Sequence, residues 1–296
     1  MNHYKIPMAF LRKKTRRKIY HGLAEARDYF SAHVFSASQG KHFQHVEAYC
    51  MFLGSGRSGH SMLGALLDAH PNVLIANEFN LIKRLKFGYN QTQLFYLLMR
   101  YSQKLAERGR ITSGYDYRVP NQWQGKFTQL KIIGDKKGGG SAEAIRKNPA
   151  LLDKLHHVIK VKIKCLHFMR NPYDNIATMA RRKKAMGTVN STDLTQAISS
   201  YFRRMETIQQ IKNKHCLDIL DMRHEDFIHD PQAHLEKVCE FLQLEASQDY
   251  LRDCASIVYT QPHRSRHKID WPPGLIECVR EHIASYPFLA GYTFDN

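Results

Sequence analysis

The sequence predicts an α/β fold in which helices flank a central, mostly parallel sheet. Short apolar runs alternate with longer segments of helical periodicity, and turns rich in glycine or proline separate several of them. The 296 residues are 43% hydrophobic, which is enough for one large core. Strands that alternate with amphipathic helices are typical of parallel sheets, whose carboxyl-terminal edge carries the ligand crevice. We therefore expect the functional residues at strand ends.

The first predicted strand leads into a glycine-rich loop. The apolar run Tyr49–Leu53 is followed by Gly54–Gly59, and a helix begins at His60-Ser61. Backbone N–H groups of the loop and of the first helical turn lack intrahelical partners, and the helix dipole adds partial positive charge. This arrangement predicts a phosphate site. The spacing is that of a P-loop, but His60 replaces the NTPase lysine and the basic residue is Arg57.

This stretch, GRSGHSMLGALLDAHPNV, resembles the 5′-phosphosulfate loop of sulfotransferases that use 3′-phosphoadenosine 5′-phosphosulfate (PAPS). The usual family loop reads Lys/Arg-Ser-Gly-Thr-Thr, so His60 departs from it at the first threonine. The resemblance implies the P-loop NTPase-like sulfotransferase fold and no metal ion, because PAPS has no γ-phosphate. It also implies that the cofactor is bound by Ser55, Gly56, Arg57, Ser58, Gly59, His60 and Ser61.

Glu78 follows the second predicted strand, Val73–Ala76. A carboxylate at the end of a parallel strand is well placed to accept a proton from an acceptor hydroxyl. In the carbohydrate and tyrosylprotein branches of the sulfotransferases, a glutamate at about this distance from the basic loop residue is the catalytic base; here the interval from Arg57 is 21 residues. The resemblance is therefore closer to these branches than to the cytosolic type, which uses a histidine. A salt-bridged surface glutamate is the alternative.

The next segments are predicted to be helices over 81–109 and a loop over 110–128 that forms part of the acceptor mouth. A third strand, Leu130–Ile133, ends in Gly134-Asp135-Lys136-Lys137-Gly138. This resembles the Gly-Asp-Lys segment of the family. The resemblance implies that Lys136 faces the sulfuryl group, with Lys137 as the alternative.

A second phosphate motif follows the predicted strand Ile159–Met169. Arg170 lies at the strand end, Pro172 opens a helix, and Thr178 follows Arg170 by eight residues. A guanidinium fork with a hydroxyl suits a phosphate monoester. The pattern resembles the 3′-phosphate motif of the family, with threonine in place of serine. Together, the two motifs imply PAPS as the donor and PAP as the product.

The remaining elements are predicted to be a helix over Thr192–Lys214, a strand over Leu217–Met222, and helices over Leu235–Leu242 and Leu275–Ile283. We interpret the segment from Arg223 to Phe227 as structural. The family also places a basic loop over the 3′-phosphate near the end of the chain. The resemblance implies cofactor contacts there from Arg264, Ser265 and Arg266.

The chain is strongly basic, with 44 Lys and Arg against 27 Asp and Glu and a net charge of +17. An anionic donor accounts for part of this charge. The rest favours an acidic acceptor, an anionic surface or a basic solvated exterior. We divide the chain into a basic N-terminal arm or helix, residues 1–44, and a sulfotransferase domain, residues 45–296. Contact of residues 1–24 with an anionic membrane is a further alternative, and no specific nucleic acid is predicted.

Targeting and cysteine patterns bear on the compartment. No apolar run approaches the ~20 residues that span a bilayer, and the start lacks the apolar core of a secretory signal. We therefore expect a cytoplasmic enzyme, with the Golgi lumen as the alternative if an anchor has been removed. The six cysteines are irregularly spaced and form no CxxC pair, which predicts reduced thiols and no metal site.

The resemblance implies transfer of a sulfuryl group from PAPS to a hydroxyl of a carbohydrate, a tyrosine or a small alcohol, with Arg57, Glu78 and Lys136 as catalytic residues. Two alternatives stay open. One is a P-loop nucleotide kinase or NTPase that binds ATP with magnesium. The other is a catalytically inactive protein that binds PAP or a polyanion. This alternative stays open because His60 and Thr178 differ from the family motifs.

Overall fold

The computed structural model describes residues 13–112, 114–183, 188–214 and 216–296. In chain order its strands are β1 (Ala48–Leu53), β2 (Val73–Asn77), β3 (Ile111–Thr112), β4 (Tyr115–Asp116), β5 (Ile132–Lys136), β6 (Lys162–Met169) and β7 (Asp218–Arg223). Five of these form the central sheet in the order β2-β5-β1-β6-β7, and every neighbouring pair is parallel. The short strands β3 and β4 form a separate antiparallel ribbon.

Helices cover both faces of this sheet. They are α1 (Lys13–Gln39), α2 (His60–Asp68), α3 (Leu81–Arg84), α4 (Gln91–Glu107), α5 (Gly138–Lys147), α6 (Ala150–Val158), α7 (Pro172–Lys183), α8 (Ser191–Asn213), α9 (His224–His229), α10 (Pro231–Leu242), α11 (Gln248–Ala255) and α12 (Pro273–Ala284). Among the helices described, none has both the length and the apolar character needed to cross a membrane. The predicted α/β class with a parallel sheet flanked by helices is confirmed.

The sheet has a hydrophobic core on each of its two faces, because side chains alternate along the strands. In β1, Tyr49, Met51 and Leu53 pack with α4, α5 and α8, whereas Cys50 and Phe52 pack with α2, α10 and α11. Successive side chains of a strand point to opposite faces, so a strand that is buried on both sides reads as one continuous apolar run. This is why β1 is buried along its whole length.

Strand β5 starts and ends later than predicted, at Ile132–Lys136 instead of Leu130–Ile133. Glycine and aspartate are rare in strands, and here both are accommodated by their neighbours. A Cβ on Gly134 would collide with the backbone carbonyl of Cys50 in the adjacent strand. The buried carboxylate of Asp135 accepts the backbone N–H groups of Phe79 and Leu81 at 3.1 and 2.8 Å. The extension places Lys136 at the carboxyl end of a central strand.

Helix α1 packs against α4 through a buried polar contact. The carboxylate of Asp28 accepts the Tyr101 hydroxyl at 2.6 Å and pairs with the Arg84 guanidinium at 2.9 Å. The opposite side of the helix exposes Leu23, Phe30 and Val34. Residues 1–12 of the predicted basic arm lie outside the described residues. The division at residue 44 stays a prediction.

Candidate functional site

A cleft of about 1460 Å³ opens at the carboxyl ends of β1, β2, β5 and β6. Its lining includes the loop after β1, the glutamate after β2, the lysine that ends β5 and the arginine that follows β6. The parallel register aligns these strand ends at one edge of the sheet, as the sequence predicts. Of the predicted site residues, the cleft is lined by Gly56, Arg57, Gly59, His60, Ser61, Glu78, Lys136, Arg170, Thr178 and Ser265.

Buried hydrogen bonds fix the conformation of the loop after β1. Arg57 and Gly59 have φ angles of 78° and 86°, both in the left-handed region that a non-glycine residue adopts only at a cost. The Ser58 hydroxyl donates to the Ser55 carbonyl at 3.0 Å and accepts the Asn175 side-chain amide at 2.6 Å. Ser55 and Ser58 are therefore buried residues that support the conformation of the loop and do not line the cleft.

His60 is wedged under the same loop. Its Nε2 donates to the Leu53 carbonyl at 2.9 Å, which fixes the proton on Nε2 because a carbonyl only accepts. Burial lowers the pKa of His60 to about 4, so the ring is neutral at physiological pH. A Cβ on Gly54 would lie 2.7 Å from the ring, and one on Gly138 would lie 2.8 Å from it. His60 thus joins the loop to the start of α5, and it does not supply the positive charge of an NTPase lysine.

Glu78 lies between two lysines at the cleft wall. The Lys136 ammonium donates to Glu78 Oε1 at 2.6 Å and to the Ser61 hydroxyl at 3.0 Å, and the Lys137 ammonium contacts Oε2. Burial alone would raise the pKa of Glu78, but the two ammonium groups outweigh it and hold the pKa below its usual range. The Glu78 side chain is 47% exposed, so its charged carboxylate is accessible from the cleft.

Arg170 connects the end of β6 to the loop and to the chain near its end. Its guanidinium donates to the Arg57 carbonyl at 3.2 Å and to the Ser265 hydroxyl at 3.3 Å, and it also contacts the His263 carbonyl. Thr178 lines the cleft two turns along α7. Its hydroxyl donates to the Asp174 carbonyl at 2.8 Å, so it must rotate to donate to an anion in the cleft.

The three residues predicted in the basic loop, Arg264, Ser265 and Arg266, lie in different environments. Ser265 is buried at the cleft wall, whereas Arg264 is exposed and does not line the cleft. Arg266 is also absent from the lining. It is 1% exposed, and its guanidinium pairs with Asp174 Oδ2 at 2.9 Å while its backbone N–H donates to Oδ1 of the same carboxylate. A buried guanidinium that is already paired with a carboxylate is a structural contact.

The structure adds cleft residues that the sequence left unassigned. His224, interpreted above as structural, lies so close to the loop that a Cβ on Gly59 would meet its ring at 2.5 Å. Burial, with the nearby Arg170 charge, lowers the pKa of His224 to about 3. Arg204 of α8 and Tyr259 after α11 also line the cleft. So do Tyr115 and Tyr117, which lie within the segment 110–128 that the sequence predicts to be a loop of the acceptor mouth and that contains the short strands β3 and β4.

Three buried nitrogen atoms around the cleft have no hydrogen-bond partner among the described residues. They are the Nε atoms of Arg57 and Arg170 and Nδ1 of His224. A buried polar group without a partner costs free energy, and such groups are usually satisfied by a ligand or by water. The guanidinium groups of Arg57, within the loop, and of Arg170, which contacts the Arg57 carbonyl, line the cleft together with the N-terminus of α2, and this set favours a ligand that carries two anionic groups.

The described residues contain no group of three His, Cys, Asp or Glu side chains placed to hold a metal ion. The described lining of the cleft contains lysines, arginines and carboxylates. This set can bind anions at two points and can take a proton at Glu78.

The comparisons with known proteins identify a family and a fold. The profile of the sulfotransferase family matches residues 51–249. A sulfotransferase structure from Mycobacterium avium is 10% identical with a TM-score of 0.51, over 86% of this chain and 80% of that one. A sulfotransferase structure from Mycobacterium tuberculosis H37Rv is 13% identical with a TM-score of 0.50, over 92% and 86%. At such identities the likeness shows the fold alone. No curated protein sequence gives a significant match.

Proposed function

The chain belongs to the sulfotransferase family, and from that premise we propose that it transfers a sulfuryl group from PAPS to a hydroxyl acceptor, with Glu78 as the base. One observation carries the proposal. Arg170 donates a hydrogen bond to the Arg57 carbonyl and lines the same cleft as Gly56, Arg57, Gly59, His60 and Ser61. A nucleotide with anionic groups at the 5′ and 3′ positions of one ribose fits two such sites at short separation.

The donor would be held at two points by residues of this chain. The loop N–H groups, the first turn of α2 and the Ser61 hydroxyl would bind the 5′-phosphosulfate. Arg170, Thr178 and Ser265 would bind the 3′-phosphate, and the unpartnered Nε of Arg170 would gain an acceptor there. When bound, PAPS supplies the activated sulfuryl group.

The catalytic residues would act on charge and on one proton. As the sulfur–oxygen bond to the acceptor forms and the bond to PAP breaks, the electron pair of the broken bond stays on the departing phosphate oxygen. Arg57 and Lys136 would stabilise that developing charge. Glu78 would take the acceptor proton. Lys136 contacts Glu78 at 2.6 Å, so the base and the cation that assists departure are already adjacent.

The proposal is tested by ligand binding and by transfer. We expect PAP to raise the melting temperature without magnesium and to do so more than ADP, which lacks the 3′-phosphate. Radiolabelled PAPS should then pass its label to a member of a hydroxyl acceptor panel. Binding of ATP that requires magnesium, without binding of PAP, would favour the kinase or NTPase alternative. Binding of PAP without transfer to any acceptor would favour the inactive binding protein.

A further inference from the structure

The cleft contains more positive charge than its two phosphate motifs and its lysine pair explain. Its described lining includes eight Lys and Arg side chains but only Glu78, Glu143 and Asp270 as acids. Glu78 is occupied by Lys136 and Lys137, and Glu143 pairs with Arg146 at 2.9 Å and Lys147 at 3.4 Å. The excess is concentrated on the wall formed by α7 and α8, which carries Arg181, Arg182 and Arg204.

Arg204 is the distinctive member of this wall because it is partly buried. Burial lowers the pKa of its guanidinium, and no carboxylate of the described residues lies within ion-pair distance of it. The polar contact that it makes is with the Met179 sulfur at 3.8 Å, a weak acceptor. Removing a cation from water without an anionic partner is unfavourable, so this position favours an anion in the cleft.

Arg204 belongs to neither predicted phosphate motif. It lies on α8, whereas the predicted donor contacts come from the loop after β1, Arg170, Thr178 in the middle of α7, and Ser265. Met179, which Arg204 contacts, also accepts the Ser55 hydroxyl of the loop at 3.7 Å. The electrostatic neighbour of Arg204, Glu143, lies on α5, the helix that begins directly after the lysines that contact Glu78. Arg204 and Glu78 line the same cleft.

We propose that the acceptor is itself anionic: a hydroxyl compound that carries a carboxylate or sulfate group, which Arg204 binds while the hydroxyl faces Glu78. This inference rests on the proposed sulfuryl transfer and specifies its acceptor class. Arg182, exposed on the same wall and without a carboxylate partner among the described residues, adds to the attraction. A guanidinium fork matches the planar carboxylate and the sulfate group in two hydrogen bonds.

The experiment uses acceptors that differ only in charge. One pair is an oligosaccharide with uronic acids and its carboxyl-reduced form, and the other is a tyrosine peptide with glutamate neighbours and its glutamine form. Transfer of label from PAPS is measured for both pairs, and acceptor binding is measured by calorimetry with and without PAP. We expect the wild type to prefer one anionic member by about tenfold or more in kcat/KM.

The variant Arg204→Gln should lose most of that preference through KM, while its affinity for PAP stays within about twofold of wild type. Arg204→Lys should retain part of the preference, because it keeps the charge without the fork. Arg203→Gln is the matched control: Arg203 is the exposed neighbour on α8 and does not line the cleft, so the preference should persist.

Two outcomes overturn the inference alone. In one, the wild type transfers to the neutral members as well as to the anionic ones; in the other, Arg204→Gln keeps the full preference. If the wild type binds neither PAP nor PAPS, the proposed function fails instead, and the calorimetric comparison of charged and neutral acceptors still decides whether Arg204 binds an anion. Equal binding of charged and neutral acceptors in that case also rejects the inference.

Discussion

The guanidinium of Arg170 donates a hydrogen bond to the backbone carbonyl of Arg57, 3.2 Å away and 113 positions earlier in the chain. Strands β1 and β6 are neighbours in the sheet, so the two segments that follow them meet at its edge. The contact orients Arg170 and also holds the loop in its left-handed conformation at Arg57. Both proposed anion sites therefore depend on one pair of strand ends.

Arg170→Lys is expected to weaken PAP binding selectively. A lysine keeps the charge but loses the fork that contacts Ser265 and the Arg57 carbonyl, and hydrogen bonds to charged groups contribute about 1.5–3 kcal/mol. Calorimetry should show at least about a tenfold loss for PAP and a much smaller loss for ADP. An equal loss for both nucleotides would contradict a role at the 3′-phosphate.

Arg57→Ala is expected to lower kcat far more than it lowers stability. If Arg57 stabilises charge on the departing oxygen, its loss should resemble the removal of one oxyanion-hole donor, ~10²–10³-fold in kcat or about 2.7–4 kcal/mol. The left-handed backbone of residue 57 is no more strained with alanine than with arginine. Label transfer from PAPS and thermal unfolding are measured together. A wild-type turnover rate would refute the assignment.

Glu78→Gln is expected to lower kcat by ~10²–10⁴-fold, the usual contribution of a positioned acid or base. PAP affinity should stay equal or improve, because the lysines beside residue 78 lose their carboxylate and become more available to anions. Glu277→Gln is the control: this partly exposed glutamate of α12 pairs with Arg280 outside the cleft, so the change should leave kcat unchanged. Retention of activity in Glu78→Gln would require another base.

Gly138→Ala is expected to destabilise the protein and weaken PAP binding, because the new methyl group would meet the His60 ring at 2.8 Å. Overpacking of this kind costs about 1–3 kcal/mol. Gly274→Ala, in the first turn of α12 with no atom within 4 Å of the added carbon, should be tolerated. The double variant Gly138→Ala/His60→Thr should recover much of the loss in a double-mutant cycle, and purely additive losses would argue against the contact.

Acid is expected to destabilise the fold through its buried histidines. The pKa of His60 is lowered to about 4 and that of His224 to about 3, so the unfolded chain binds protons first as the pH falls below 6.5. Each histidine then removes about 1.4 kcal/mol of stability per pH unit until its folded pKa is reached. Denaturant unfolding should show a shallower acid dependence in His224→Phe than in wild type, and parallel curves above pH 7. Identical slopes in acid would contradict the burial of a neutral ring.

The parts of the site that depend on local sequence could be predicted. The loop Gly54–Gly59 and Arg170 combine residue type with fixed spacing beside an apolar strand. Gly56, Arg57 and Gly59 of the loop line the cleft with Arg170, whereas the predicted cofactor residues Ser55 and Ser58 do not. Glu78 and Lys136 also line it, because parallel strands bring their ends to one edge. Their mutual contact at 2.6 Å follows from the pairing of β2 with β5, which no local pattern reveals.

Other parts of the site and of the fold depend on tertiary packing and could not be predicted from the sequence. His224 is a cleft residue only because Gly59 leaves room for its ring, and Arg204 resembles every other polar position of an amphipathic helix. The sequence pattern predicts too early an end for β5, because Gly134 and Asp135 are residue types that are rare in strands. Glycine is suitable at 134 because a larger residue would collide with the Cys50 carbonyl of the neighbouring strand. Aspartate is suitable at 135 because its carboxylate accepts two N–H groups that are distant in sequence.

The pairing of Asp28 with Arg84 and Tyr101 has a consequence for how far the chain can be shortened. The Arg84 guanidinium lies over the Phe79 ring at 4.3 Å, and the Tyr101 ring packs edge to face with Phe79 at a centroid distance of 4.8 Å. Phe79 directly follows Glu78. A protein begun at residue 45 would lack the carboxylate that orients these two partners, at the base of the turn that presents Glu78. Truncation there should loosen the turn, so sulfuryl transfer would suffer in a fragment that still retains every cleft residue.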